Sequence, residues 1–553
     1  MRGLPSALVV MLLLGVAVRL AVAWAPFDGY QAERGPLVDD SFYYFQIARN
    51  IATGAGPTHD GASRTSGFQP LWMLALVPLY LAAPDDPILP IHLAMTLQAL
   101  LAALSAVLLW RLGRHLAGQT AGRVAAGTWL ASPYIIDHGM NGMETALAAV
   151  TLLGVLAWYL ERIRGRWAET SRRDWALLGL LGGLAFLSRV DSALLLAALA
   201  VDLILGMGRR VGAGPLLRAS LWSLVGFSVV VPWVGFCLAV SGTLLPESGR
   251  AVRLLATLYS TSHLYGAHTA GEPGFYLDNL GLLLRNLLSR PEVPPLGAPV
   301  GILLRRLDLP VWTNLLWSAA AAAGLWWAWR RSAARGRFPG FLWGAAALYL
   351  LAYAVVVPGQ WFYARYLFPV VTLGILLAGI TAQVVLALPS PAVRRLLVGA
   401  GVLLLLTAVS VDGHRRLLMT DGKNIIGYVE TARMIDDTPW IQAPVGVFQA
   451  GVVGYMARKD ILALDGKVNA AAFEALEAGT LTSYLQDQGV ATVTDLYPWM
   501  IDLLFDHGAR HDDPVSLQRR TVSHPARPFS WLVVTLPPSG PAPGGALQPR
   551  NGI

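Results

Sequence analysis

The stretch "LVDDSFYYFQIARN", residues 37 to 50, lies shortly after a long apolar segment near the start of the chain. It places two adjacent carboxylates, Asp39 and Asp40, in front of four aromatic residues. Like charges near a low-dielectric phase cost free energy, because each carboxylate raises the pKa of the other and desolvation raises both. The pair therefore predicts a carboxylate able to act as a general base. The alternative is that one aspartate caps a helix from Ser41 to Thr53 and the other favours its positive end.

The composition identifies the class of protein around this stretch. Of 553 residues, 55% are hydrophobic and 14% are charged, and the mean hydropathy is +0.52. A soluble globular protein is less apolar than this, so we expect an integral membrane protein. The single cysteine, Cys237, excludes an internal disulfide. The net charge of +8 is carried largely by arginines between apolar runs, which indicates membrane topology and not nucleic-acid binding.

Eleven apolar segments predict membrane spans, on the basis that a bilayer core needs about 20 residues per helix. They lie near residues 8–24, 90–110, 124–137, 143–160, 175–188, 191–207, 219–240, 311–329, 340–357, 367–387 and 396–411. The region 175–207 also fits one long helix. The first segment has an alternative as a cleavable signal peptide, since "AVA" at 21–23 is a small-x-small site.

Arginine placement predicts the orientation. With a cytoplasmic N-terminus, every inner loop carries arginine, and the inner loops hold only three acids, Glu161, Glu169 and Asp174. This follows the positive-inside rule. An odd number of spans then places the C-terminal region outside the cytoplasm, with outer loops at 25–89 and 241–310. In the first of these loops, an apolar segment at 71–83 is expected to lie in the membrane interface, with Trp72 and Tyr80 at headgroup level.

The chain divides into two expected domains and a tail. Residues 1–411 form an all-α transmembrane module, and residues 412–535 form an extracytoplasmic α/β domain. In the latter, strand-like runs ("VGVFQA", "DILAL", "ATVTDL") alternate with helical patterns. Residues 536–553, rich in proline and glycine, are expected to be disordered.

Eight motifs along the chain carry a resemblance to a known superfamily. They are "DDSFYYFQIARNIATGAGPTHDG" followed by "TSGFQPLW", then "NGMETAL" (141–147), "LSRVDSALL" (187–195), "GTLLPESGRA" (242–251), "WFYARYLFP" (361–369), and "VGVFQAGVVGY" paired with "LALDGKVN". In this order the chain resembles the C-type (GT-C) glycosyltransferases, polytopic enzymes that use polyprenyl-phosphate-linked sugars. It is similar in particular to bacterial arabinofuranosyltransferases and protein-mannosyltransferase-like enzymes. The resemblance implies that an acid of the first outer loop is the catalytic base, with Asp39 preferred over Asp40.

A site for a lipid-phosphate donor requires cationic side chains, because the leaving phosphate carries negative charge. Arginine suits this role through bidentate binding of phosphate oxygens. Three outer-face arginines are expected to bind the donor phosphate: Arg189, Arg365 and Arg250. The alternatives are a structural pair with Asp191 for Arg189 and an interfacial anchor for Arg365.

Further acids and amides are candidates for acceptor or metal binding. Glu144, Asp137 and Asp191 are expected to contact the acceptor or a metal, although an acid at a helix start is also a partner of the helix dipole. Asp465 and Asn469 in "LDGKVN" are candidates for acceptor recognition, with a simple turn as the alternative. No cofactor is required by the sequence, and a divalent cation (Mg²⁺, Mn²⁺ or Ca²⁺) is left open.

The resulting hypothesis is an inverting glycosyltransferase of the cell membrane. It would move a hexose or a pentose from a polyprenyl-phosphate sugar to an extracytoplasmic glycan, lipid or protein. A transporter or lipid flippase is the alternative from another class, and a non-catalytic envelope assembly protein is a third. Transporters tend to place charges at the bilayer midplane, whereas here many acids lie in the outer segments.

Overall fold

A computed structural model describes residues 5–263, 266–288, 339–413, 425–509, 518–523 and 530–536. The span predicted at 311–329, part of the loop 241–310 and the tail after residue 536 lie outside the described residues. The longer described helices are α1 (Ser6–Ala23), α2 (Asp39–Ala52), α3 (Pro70–Ala82), α4 (Leu89–Ala117), α5 (Gln119–Ala131), α6 (Pro133–Gly139), α7 (Thr145–Trp158), α8 (Arg172–Ser188), α9 (Ala193–Arg210), α10 (Ala213–Phe227), α11 (Val231–Ser241), α12 (Ser248–Thr261), α13 (Pro273–Leu288), α14 (Phe341–Leu351), α15 (Tyr363–Tyr366), α16 (Phe368–Leu386), α17 (Pro391–Gly413), α18 (Ile426–Asp437), α19 (Ala450–Met456), α20 (Ala470–Ala478) and α21 (Leu481–Asp487).

By length and apolar composition, six described helical stretches can cross a membrane: Ser6–Ala23, Leu89–Ala117, Thr145–Ile163, Val190–Arg210, Ala213–Ser241 and Gln360–Leu386. The chain is therefore a helical membrane protein. Two predicted spans are interrupted. The segment predicted at 124–137 breaks at Ser132, whose hydroxyl caps α6, and the one at 219–240 contains a tighter turn at Ser228–Val230. Proline at the first turn of α6 and α11 accounts for both restarts, because its fixed φ suits a helix start.

A buried arginine explains how α1 tolerates a charge within an apolar segment. Arg19 is fully buried and donates to the carbonyl oxygens of Gly15 and Leu130, both at 3.0 Å, and of Trp129 at 3.2 Å. These carbonyls belong to α1 itself and to the last turn of α5, where backbone acceptors lack helical partners. Arg19 therefore joins α1 to the end of α5 while its charge stays hydrogen-bonded.

Helix α2, which carries the aspartate pair, begins two residues earlier than predicted. Val38 occupies the N-cap position without a side-chain hydrogen bond, and Asp39 and Asp40 form the first turn. The prediction that one of the aspartates caps a helix starting at Ser41 is therefore wrong. Both carboxylates still lie at the positive end of the helix dipole, which favours negative charge.

The apolar segment after this loop is helix α3, and the two aromatic residues predicted at headgroup level are buried in the protein. Trp72 is fully buried and Tyr80 is 2% exposed. The Trp72 indole donates to the carbonyl oxygen of Gly142 at 3.1 Å, and the hydroxyls of Tyr80 and Tyr455 lie 3.1 Å apart. Both rings therefore pack within the protein, and the location of this segment in the membrane interface stays a prediction.

The region after residue 425 contains a five-stranded mixed sheet in the order β2-β1-β3-β5-β4. Its strands are β1 (Val445–Val447), β2 (Ile461–Ala463), β3 (Thr492–Asp495), β4 (Gln518–Ser523) and β5 (Ser530–Thr535). Strand β1 runs parallel to β2 and β3, whereas β5 is antiparallel to β3 and β4. The strands β1 to β3 are buried. Strands β1 and β2 are apolar throughout, as is typical of parallel strands, whereas β3 contains two threonines and Asp495. Their carboxyl ends point toward α2.

Two glycines allow α19, which follows β1, to lie directly on the segment from Asp39 to His59. A Cβ at Gly451 would overlap the carbonyl oxygen of Asp39, and one at Gly454 would lie 2.8 Å from the His59 ring. The ring of Tyr455 packs edge-on against Phe42 of α2 at 5.5 Å. The "AGVVGY" sequence thus explains why α2 and the sheet share one core.

Candidate functional site

Five charged residues from three parts of the chain form one ionic cluster: Asp39, Asp40, Arg365, Asp465 and Lys467. The Lys467 ammonium lies 3.2 Å from Asp40 Oδ1 and 2.9 Å from Asp465 Oδ2. The Arg365 guanidinium donates to the other oxygen of Asp40 at 2.9 Å. Both oxygens of Asp40 are therefore engaged by cations. The start of α2, the "YARY" segment and the turn after β2 meet at this carboxylate.

Asp39 lies in a different environment, although it is the next residue in the chain. Its Oδ1 accepts a hydrogen bond from the backbone N–H of Val452 at 2.8 Å, and no ion pair with it is found among the described residues. Burial raises the pKa of Asp39 to about 7, with Asp40 and Asp465 adding to the rise and Val452 and Lys467 opposing it. A carboxylate with a pKa near neutrality suits general-base chemistry.

Asp40 shows the opposite behaviour. Burial alone would raise the pKa of Asp40, but Lys467 and Arg365 outweigh this effect and hold the pKa below its usual value. Asp40 thus remains ionised, and its role in the cluster is to hold two cations in place. The environments of the two adjacent carboxyls push their pKa values apart, a pattern that separates the roles of paired acids in active sites.

The position of Lys467 follows from the sequence around it. Strand β2 ends at Ala463, and Gly466 takes a left-handed conformation with φ of 75°, which glycine adopts readily. The backbone N–H of Lys467 donates to Asp465 Oδ1 at 3.0 Å, closing this turn. The loop "TSG" packs on the other side, where a Cβ at Gly67 would overlap the Lys467 carbonyl oxygen.

A cavity of about 390 Å³, here called the aromatic cavity, opens beside Asp39. Residues that follow β1, β2 and β3 line it, and these are Phe448, Gln449, Asp465, Lys467, Tyr497 and Trp499. Ligands of α/β sheets bind outside the carboxyl ends of parallel strands, which is where this cavity lies. Tyr259, Trp361 and Tyr428 add further aromatic rings, and Asp39, His138 and Asn141 add polar groups.

A second cavity of about 410 Å³, here called the apolar cavity, lies on the other side of the ionic cluster. Leu194 of α9, Val252 of α12 and the segment from Ala352 to Val357 contribute to its walls. The two cavities share four residues: Asp40, Phe362, Arg365 and Lys467. The cations that hold Asp40 therefore form a common wall between an aromatic and an apolar space.

Three further predicted site residues line the apolar cavity. Arg189 is 6% exposed and its Nε lies 3.1 Å from Asp191 Oδ2, so the predicted structural pair exists at the cavity wall. The Tyr353 hydroxyl also donates to Asp191. Glu144 is 5% exposed, and its Oε2 is buried without a hydrogen-bond partner in the described part of the chain.

The structure does not bring three other predicted residues into either cavity. Arg250 lies over the Phe473 ring at 4.5 Å and 3.8 Å from Glu477. Asp137 is buried beside His138, with 3.8 Å between Oδ2 and Nε2. The Asn469 side chain caps α20 by accepting from the Ala472 N–H, and it donates to the Ala463 carbonyl and the Tyr484 hydroxyl.

Sequence reasoning missed Lys467 and the aromatic wall. A signal for Lys467 was present, because the chain has only three lysines and this one lies inside a quoted motif between two candidate residues. For Trp361, Tyr497 and Trp499 no local pattern distinguished them from interfacial aromatics. Their convergence depends on the docking of the sheet onto the outer loops.

Among the described residues, no group of three or more histidine, cysteine, aspartate or glutamate side chains is arranged to hold a metal ion. The three aspartates of the ionic cluster face Lys467 and Arg365 instead. The cation that the resemblance left open stays a prediction.

The chain matches known proteins in sequence and in fold. The model of the family described as dolichyl-phosphate-mannose-protein mannosyltransferase matches residues 71–234. The crystal structure of ArnT from Cupriavidus metallidurans bound to undecaprenyl phosphate matches with a TM-score of 0.53 and 17% identity, over 94% of this chain and 97% of that one. The chain resembles the C-type glycosyltransferases.

Two further solved structures match the chain in fold. ArnT from the same organism in the apo state matches with a TM-score of 0.52 and 17% identity, over 96% of this chain and 98% of that one. An oligosaccharyltransferase from Archaeoglobus fulgidus in the apo form has a TM-score of 0.48 and 12% identity, over 88% of this chain and 69% of that one. No curated protein sequence matches the chain significantly. At these identities the likeness to solved structures is one of fold.

Proposed function

We propose that this protein is an inverting glycosyltransferase that moves one sugar from a polyprenyl-phosphate donor to a hydroxyl of an extracytoplasmic acceptor. The observation that carries the proposal is the pair of cavities on either side of a cationic wall. One space is apolar and the other is aromatic and contains Asp39, the carboxyl whose pKa is raised to about 7.

The apolar cavity suits the donor. Its walls are mainly aliphatic and aromatic, and it also presents the guanidinium groups of Arg189 and Arg365 and the ammonium of Lys467. The apolar walls suit an isoprenoid chain, and the cationic groups suit a phosphate. The ArnT structure bound to undecaprenyl phosphate supports the same class of ligand for a chain of this fold. Arg250, outside the cavity, is not part of this proposal.

The aromatic cavity suits the acceptor, with Asp39 as base. Ionised Asp39 takes the proton of the acceptor hydroxyl while the hydroxyl oxygen forms a bond to the anomeric carbon. The bond from that carbon to the phosphate oxygen breaks, and the polyprenyl phosphate leaves with its electron pair. Arg365 and Lys467, in the wall between the cavities, stabilise the charge that develops on the leaving oxygen.

The proposed topology is that of the sequence prediction, with eleven spans, a cytoplasmic N-terminus and an extracytoplasmic C-terminal α/β domain. The direct contact of the sheet with the loop that contains Asp39 supports the common side of these two parts. Labelling of single cysteines introduced at Asp60 and Thr480 tests it: both are expected to react from the outside only, and cytoplasmic labelling of either rejects the topology.

The activity test uses a panel of polyprenyl-phosphate sugars that includes arabinofuranose, mannose and aminosugar donors. The unsubstituted protein is expected to release polyprenyl phosphate and transfer the sugar from at least one donor. Asp39→Asn is expected to lower kcat by roughly 10²- to 10⁴-fold, the usual contribution of a general base. Asp487→Asn, a change of the same kind at an exposed helix end, is the matched control and should keep full turnover.

The test also separates this proposal from transport. If the unsubstituted, folded protein turns over no donor in the panel, the proposed transferase activity is rejected and a transporter or flippase is favoured. Turnover that Asp39→Asn leaves intact rejects Asp39 as the base. The choice between a hexose and a pentose follows from which donor is consumed.

A further inference from the structure

We propose that the acceptor is a saccharide, whose ring stacks on the aromatic wall of the cavity beside Asp39 and whose hydroxyl accepts a hydrogen bond from Asn141. This inference rests on the proposed function, and it narrows the acceptor from glycan, lipid or protein to one chemical class. Two independent features of the cavity carry it, the arrangement of its rings and an unpartnered buried amide.

The rings form a continuous wall. Tyr259 contacts Trp361 with 4.7 Å between ring centroids and contacts Trp499 at 5.4 Å. Trp499 contacts Tyr497 at 6.3 Å, and Tyr497 contacts Tyr428 at the same distance. Trp499 is 39% exposed, so one of these rings keeps a large free surface. Flat rings suit a partner with an apolar face and a polar edge, and a sugar ring has both.

Asn141 supplies the polar counterpart. It is 1% exposed and lines the cavity. Its Oδ1 accepts from the Met143 N–H at 3.0 Å, but its Nδ2 is buried without a hydrogen-bond partner in the described part of the chain. A buried unpaired donor costs free energy, and native structures usually satisfy such a group. An acceptor hydroxyl in this cavity satisfies it.

The remaining polar groups fit the same class. Asp465 and Lys467 on one side and Gln449 on another face the cavity, and the Tyr428 hydroxyl holds Gln449 by donating to its Oε1 at 2.6 Å. Carboxylates and amides at several points around one space match a ligand with hydroxyls on several sides. An acyl-chain acceptor matches the apolar cavity better, and that space is needed for the donor.

The test measures binding of free methyl glycosides of arabinofuranose, mannose and glucosamine to the purified chain by saturation-transfer NMR. At least one glycoside is expected to bind, and Trp499→Ala is expected to weaken its binding about tenfold, the size of one good aromatic contact. Trp440→Ala is the matched control, because Trp440 is 40% exposed in the same region and stacks with Arg520 outside the cavity. Trp499→Phe keeps a ring and should restore most of the affinity.

Asn141→Leu is expected to weaken binding by a similar factor, provided that its thermal unfolding is unchanged. The proposal is overturned if no glycoside binds, if Trp440→Ala weakens binding as much as Trp499→Ala, or if a lipid or peptide is the acceptor that turns over. Failure of the proposed function gives a different experimental result. It shows as no release of polyprenyl phosphate from any donor in the panel by the unsubstituted protein, whether a glycan, a lipid or a peptide is offered as acceptor. Turnover with a lipid or peptide acceptor alone overturns only the saccharide inference.

Discussion

The pH dependence of transfer is the most direct test of the base. A general base acts in its ionised form, so activity is expected to rise with pH through the pKa of Asp39, which lies at about 7. About 1% of Asp39 is ionised at pH 5, about half at pH 7 and about 90% at pH 8. Accordingly, kcat/KM should fall about tenfold per pH unit below 7 and level off above about pH 8.

The size of the pKa shift of Asp39 distinguishes a buried base from an exposed one. The ordinary aspartate pKa of 3.8 and the value of about 7 here differ by about 3 pH units, equivalent to roughly 4 kcal/mol in favour of the neutral carboxyl. The same difference makes the folded state less stable as pH rises from about 4 to about 7, because over this range the Asp39 carboxyl is ionised in the unfolded chain but stays largely protonated in the folded one. An exposed base would give a flat profile between pH 5.5 and 8.

Neighbouring charges give the direction of further shifts. Lys467→Gln removes a cation that lowers the pKa of Asp39, so the midpoint should move upward by roughly one pH unit. Asp40→Asn removes an anion that raises it, so the midpoint should move downward by a similar amount.

The assay is a kcat/KM profile with saturating acceptor for the three proteins. A flat unsubstituted profile refutes the reasoning, as do two variants that shift the midpoint in the same direction.

Two other predictions follow from the packing around the cluster. Gly451→Ala should lower transfer at least tenfold, because its Cβ would overlap the Asp39 carbonyl oxygen and push α19 away from the base. Gly281→Ala, with nothing near its added Cβ, should leave transfer unchanged, and equal loss in both contradicts this explanation. Asn469→Ala should destabilise the fold by about 0.5–2 kcal/mol through loss of the α20 cap without altering the KM for the acceptor. If Asn469→Ala changes the KM for the acceptor and leaves the thermal stability unchanged, Asn469 takes part in acceptor recognition.

The sequence was sufficient to predict the elements that depend on local pattern. The three parallel strands lie within the runs "VGVFQA", "DILAL" and "ATVTDL", because short apolar runs bounded by turn residues specify buried strands. The importance of Asp39 and Asp40 was also accessible, since two adjacent acids beside an apolar segment need a physical explanation. Their different environments were not, because these depend on Lys467, more than 400 positions away in the chain.

Other residues show where local reasoning stops. Arg250 and Arg365 were both candidates for binding the donor phosphate, yet Arg250 stacks on Phe473 and Arg365 joins Asp40. The N-cap prediction for α2 failed by two residues, which is the usual uncertainty of helix ends. The difference matters for the role of Asp39 and Asp40. A carboxylate in the first turn can face the cavities, whereas an N-cap carboxylate would accept a hydrogen bond from the backbone of its own helix.

The charge of the cluster explains why Asp39 accepts a proton readily while Asp40 keeps its negative charge. Three carboxyls face two cations, so the cluster is neutral when Asp39 is protonated and carries one excess negative charge when Asp39 is ionised. The burial that raises the pKa of Asp39 also makes that excess charge costly. In the proposed reaction, transfer of the acceptor proton to Asp39 removes the excess charge at the moment when negative charge develops on the leaving phosphate. The arrangement thus favours the charge distribution of the transition state over that of the ionised ground state, which is the property that accelerates a chemical step.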